Sequence, residues 1–180
     1  MAAALLLGAC GGKKSSGGDI ITTDYETPKL QEPISMNVVQ ESREVQWAGG
    51  RSYHLQIYRL PADSLPKVSD ERGQKYVDNQ VKISITRPDG STFFDHTFTK
   101  ASFAGWLDSD YRVNGLLEDI RLFRADDDEL LFTAAVNHPA ASDDEAVVLR
   151  LTVDRQGGIS IGRYDENDRD DLAQEEGLSN

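Results

Sequence analysis

The stretch VKISITRPDGSTFFDHTFT, residues 81–99, reads as a β-hairpin at every level that a sequence offers. Val81, Ile83 and Ile85 recur at every second position, with Lys82 and Ser84 between them. A period of two sends alternate side chains to opposite faces, so one face is apolar and the other polar. Pro88-Asp89-Gly90 then supplies a turn, because proline presets φ and glycine enters the left-handed region without a steric cost. The chain returns through Phe94, His96 and Phe98 on the same alternation. A half-buried hairpin of this kind belongs to an antiparallel sheet with one face on a core.

Working outward, the same grammar repeats. Upstream, ISMNVVQESREVQW and RSYHLQIYRL flank Gly49-Gly50, and Tyr53, Leu55 and Ile57 alternate with His54, Gln56 and Tyr58. Downstream, LLEDIRLFRADDDELLFTAAV turns at 126–128, and EAVVLRLTVDRQGGISIGRY turns at 156–158. In the last of these, Val148, Leu149 and Leu151 precede the turn, and Ile159 and Ile161 follow it. Thr99 reads as an N-cap, with Phe103, Trp106 and Leu107 on one face of a short helix in KASFAGWLDSD. The expected fold is mainly β: an antiparallel meander of about eight strands, closed into a barrel or folded as a sandwich, with one short helix. Residues 61–75, PADSLPKVSDERGQK, show neither period and read as a disordered segment or a binding loop.

The rest of the chain divides around this domain, which spans 34–164. Of its 180 residues, 31 are acidic and 19 basic, a net charge of −12 that disfavours nucleic acid and other polyanions as partners. Seven acidic residues and one arginine lie in 165–180, which reads as a solvated, disordered tail. No apolar run has the roughly 18–20 residues that a spanning helix needs. The one cysteine, Cys10, excludes an internal disulfide. It follows the apolar run 1–9, read as a signal-peptide remnant without its basic start, and Leu7-Gly8-Ala9-Cys10 matches the bacterial lipobox. By that resemblance Cys10 is the lipid-attachment site, and 10–33, rich in Gly and Ser, is a flexible tether. Gly11 stands where Asp would signal inner-membrane retention, which points to the outer membrane, periplasmic face, with the cell surface as the alternative.

Motifs with chemistry in them fail one by one. Gly158-Ile159-Ser160-Ile161-Gly162 has the spacing of a hydrolase elbow, but the serine sits inside a strand pattern and no histidine follows it. His54, His96 and His138 are evenly spaced, yet their flanks share nothing and a zinc site needs all three to converge. DENDRDD and Asp126-Asp127-Asp128-Glu129 lack the glycine of a calcium loop. Trp47, Tyr53, Tyr58 and Trp106 either form an aromatic sugar platform or belong to the core. No catalytic or metal-binding residue is assigned, and no cofactor is expected.

The order TKASFAGWLDSDY, GLLEDI, ELLFTAAVNHPAASDDEAVVLRLTVDRQGGISI, within about residues 30–164, resembles small uncharacterised lipoproteins of gut-type Gram-negative bacteria. The resemblance implies a cell-envelope address and a β-rich fold, and brings no catalytic residues. The function expected is a lipid-anchored, non-enzymatic binding or scaffold module, monomeric, whose partner is an envelope protein or a glycan. Its contact surfaces would be 61–75 and 143–145. The alternative is a lipocalin-like barrel carrying a small apolar or sugar ligand. A hydrolase ranks third.

Overall fold

In the computed structural model, residues 32–164 are described. The signal-peptide remnant, Cys10, nearly all of the tether and the acidic tail lie outside the described residues. Four hairpins form where the period-2 patterns place them. They are β1 (Val39–Trp47) with β2 (Arg51–Pro61), β5 (Asn79–Thr86) with β6 (Thr92–Thr99), β7 (Leu116–Ala125) with β8 (Glu129–Asn137), and β9 (Val147–Asp154) with β10 (Ile159–Arg163). Between the first two lies a further small hairpin, β3 (Val68–Ser69) with β4 (Lys75–Tyr76).

The hairpins assemble into two antiparallel four-stranded sheets, ordered β1-β2-β5-β6 and β10-β9-β8-β7. Their inner faces share one core: Leu55, Ile83, Ile85 and Phe98 from the first sheet meet Leu117, Ile120, Phe132 and Leu151 from the second. Each fully buried side chain of this size contributes about 1.5–3 kcal/mol. The architecture is a sandwich and not a closed barrel, since both sheets keep two edges. Where a barrel would hold a ligand, Phe98, Phe103 and Phe132 fill the space between the sheets, each no more than 1% exposed.

Three local readings change. Residues 61–75 are ordered in part as β3–β4, because Asp70 Oδ1 accepts from the backbone N–H of both Arg72 and Gln74 at 2.9 Å and Gly73 takes φ +81°. Ile34 then bridges to Tyr76, its N–H donating to Lys75 O and its carbonyl accepting from Val77 N–H, both at 2.9 Å. The helix also shifts. Thr99 opens a 3₁₀ turn at Lys100–Phe103, its N–H donating to Ser102 Oγ at 3.2 Å. The single α-helix among the described residues, α1 (Ser109–Asn114), begins later, where Asp108 Oδ1 caps the N–H groups of Asp110 and Tyr111 at 2.9 Å. Phe103 and Leu107 are buried as expected but Trp106 is 42% exposed. On the edge strand β10, Ile159 is 40% exposed, and on β9 the outward-facing Val148 is 42% exposed, so neither belongs to the core.

Candidate functional site

The long connections lie at one end of the strands and the tight turns at the other, and of the long connections only 100–115 passes from one sheet to the other. Three connections, 62–78, 100–115 and 138–146, converge on a groove of about 710 Å³. One wall is the β3–β4 arm (Ser69 to Arg72, and Tyr76), another is α1 (Asp110, Asn114), and the third runs from His138 to Ala141 and on to Glu145. The two segments expected to be contact surfaces, 61–75 and 143–145, are therefore brought to one place.

Each wall is fixed by bonds that a sequence pattern does not show. Tyr111 donates its hydroxyl to Glu145 O at 2.6 Å, and its ring lies 4.3 Å from that of His138. The fully buried Asn137 accepts from His138 N–H and donates to Ser142 O, both at 2.9 Å, which shapes the connection through the left-handed Ala140 (φ 61°). Ser142 Oγ donates to Glu145 Oε1 at 2.8 Å.

Below the groove lies a buried polar clamp between the sheets. Asp78 Oδ1 accepts from Asn79 N–H at 2.8 Å and from Leu117 N–H at 3.0 Å, while Asp78 Oδ2 is 3.6 Å from Lys100 Nζ. Lys100 Nζ also donates to Gly115 O at 2.6 Å, and Asn79 Nδ2 donates to Leu117 O at 2.9 Å. Burial lowers the pKa of the Lys100 ammonium, and Asp78 partly offsets this. A buried ion pair is weak in net stability but costly to break, so its role here is to hold β7 and the 3₁₀ turn in one position.

The groove is acidic: Asp70, Glu71, Asp110 and Glu145 face Arg72 and His138. Asp110 Oδ1 accepts from Asn114 Nδ2 at 2.6 Å, and its Oδ2 is 3.1 Å from His138 Nε2. Burial, reinforced by neighbouring carboxylates, raises the pKa of both Tyr76 and Tyr111, so both phenols remain donors. Ser69 Oγ accepts from Lys75 Nζ at 3.3 Å while His138 faces Asp110, so hydroxyl and imidazole are engaged separately and make no nucleophile–base pair. The chemistry on offer is binding of a cationic group by fixed acceptors.

A smaller groove of about 360 Å³ lies along β7, where the buried Arg59 donates to Asn37 O at 3.0 Å and to Glu118 O. Burial raises the pKa of the Glu118 carboxyl there, against the lowering effect of its bond to Asn137.

The singled-out residues scatter. Cys10 and its lipobox Leu7, Gly8 and Ala9 lie outside the described residues, as does DENDRDD. His54 sits on the outer face of the first sheet, 2.8 Å from Glu44 and 3.1 Å from Ser42 Oγ. His96 lies on the opposite face of that sheet, across from Ile83, and His138 lines the acidic groove. No group of three or more His, Cys, Asp or Glu is placed to hold a metal among the described residues. Ser160 is an exposed residue, the second of β10, opposite Thr152. Within the acidic turn, Arg124 pairs with Asp126 at 2.8 Å and Arg150 with Glu129. Trp47 and Tyr53 are core, packed edge to face at 5.2 Å, whereas Tyr58 and Trp106 are exposed. Asp110 and Asn114 were not foreseen as wall residues; the signal was Asp108 as N-cap with Gly115 just after the helix.

No curated protein matches this chain. A family model described as a domain of unknown function, DUF4738, matches residues 20–161, which include all but the last three of the described residues. The match covers most of the chain and the whole of the acidic groove, and on that ground the chain belongs to the DUF4738 family.

Proposed function

We propose that this protein is a lipid-anchored binding module of the cell envelope, held at the outer membrane through Cys10, whose acidic groove takes a basic segment of another envelope protein. The observation that carries the reading is the convergence of all three long connections on one groove. Binding surfaces concentrate on loops that a rigid scaffold positions. Four carboxylates against one arginine and one histidine favour a Lys- or Arg-rich partner, and the lipobox spacing of Leu7, Gly8, Ala9 and Cys10 supports the anchor.

Titration of the full chain carrying Cys10→Ser with a short lysine-rich peptide, followed by NMR, tests the groove. Amide resonances of residues 69–76, 110–114 and 138–145 should move, and the movement should fade at high salt. Shifts confined to the tight turns, or none in the groove, would refute a cationic partner. Uptake of radiolabelled palmitate by the unsubstituted chain and not by Cys10→Ser tests the anchor, and labelling of both would exclude it.

A further inference from the structure

An open sheet edge presents unpaired N–H and C=O groups and recruits another strand unless something guards it. This sandwich has four edges: β1, β6, β7 and β10. On β7 the guard is side chains from the other sheet. Leu117 N–H and C=O are taken by Asp78 and Asn79 at 3.0 and 2.9 Å, Glu118 O by Arg59, and Leu122 O by Arg43 at 3.1 Å. Two register shifts interrupt the same strand. On β1, Glu41 and Arg43 fall on the core-facing parity of Val45 and Trp47 and pair at 3.2 Å, placing inward charges at the edge. The β10 edge is only five residues long.

β6 is guarded only at its ends: a register shift separates Ile85↔Phe94 from Thr86↔Thr92, Arg87 donates to Thr92 O at 2.7 Å, and Thr99 N–H donates to Ser102 Oγ at 3.2 Å, which leaves the stretch between them open. It pairs with β5 in unbroken register from Gln80↔Thr99 to Ile85↔Phe94. Its carboxylate, Asp95, faces outward and is neutralised by Lys82 at 2.9 Å. Among the described residues, no side chain bonds to the backbone of residues 93–98. The exposed His96 ring lies on the core-facing side between Phe94 and Phe98, at 6.1 and 4.5 Å.

We propose that β6 pairs antiparallel with β6 of a second copy, about a two-fold axis through His96 and normal to the sheet. In that register Phe94 stands opposite Phe98 and Asp95 opposite Thr97, and the core-facing sides of the two copies coincide. Aromatic cross-strand pairs stabilise a ladder, whereas a register centred on Asp95 would oppose two carboxylates. A dimer departs from the monomer expected from the sequence. It leaves the acidic groove free, since no β6 residue lines it.

Sedimentation equilibrium of the full chain carrying Cys10→Ser tests the pairing over roughly 10 µM to 1 mM, the range in which an interface of less than standard size titrates. The weight-average mass should climb towards twice the monomer value. Adding His96→Lys, which copies the inward charge of β1, should restore the monomer mass with an unchanged melting curve. Hydrogen exchange of residues 93–98 without the His96 substitution should slow as concentration rises. A monomer throughout with concentration-independent exchange overturns the proposal, and so does a dimer that persists in His96→Lys.

Discussion

The turn ends of the sheets and the loop end solve the same problem, reversing the chain, with bonds of different range. At the turn ends each reversal closes on itself. Gly90 N–H donates to Arg87 O, Asp126 N–H to Glu129 O, and Gly157 N–H to Asp154 O, all at 2.9 Å. At the loop end the fixing bonds join residues far apart in the chain: Asp78 to Leu117, Lys100 to Gly115, and Tyr111 to Glu145. The turn ends are local and nearly closed, while the loop end is assembled and leaves a groove of about 710 Å³. A surface assembled from three connections can vary in shape while the sheets beneath it stay constant.

The sharpest way to break this contrast is at the clamp. Asp78→Ala strands the Lys100 ammonium in a buried site and leaves Leu117 N–H without its acceptor, so urea unfolding should show a loss of about 3–5 kcal/mol. Adding Lys100→Met to Asp78→Ala should recover part of that loss, because an apolar replacement removes the uncompensated charge. A loss below about 1 kcal/mol would mean that the sheets are held together without the clamp. Asn137→Ala should cost less, about 1–3 kcal/mol, and should raise hydrogen exchange across 138–146 while leaving the tight turns unchanged. Exchange that rises equally at both ends would show that the third wall is not an independent unit. The smallest effect belongs to the first turn. Ala48 holds φ 51°, where a side chain is strained, so Ala48→Gly should stabilise by up to about 1 kcal/mol in thermal melts, without altering peptide binding in the groove.

The contrast also governs how much could be read in advance. All four hairpins and their turns were legible, because alternation and Gly, Pro and Asp placement act over a few residues. The β3–β4 arm was not, since two-residue strands carry no period and their order rests on Asp70, Gly73 and a bridge to Ile34. The helix was placed early because Phe103, Trp106 and Leu107 share a helical spacing. The structure buries Phe103 and Leu107 from a 3₁₀ turn and the residues after it, and gives α1 to the better cap at Asp108. The groove was half legible: two of its three walls were singled out as loops, but nothing local said that they meet.

From the residues alone came the β class, the hairpin boundaries, the acidic balance and the lipobox spacing, each the product of neighbours within one turn or one strand. The tertiary structure decided sandwich over barrel, the fate of each aromatic, and the site. A period of two says which side chains share a face, but not which sheet that face will meet. That choice fell to long-range burial and to buried polar groups such as Asp78 and Asn79, which pair only when distant strands bring their partners.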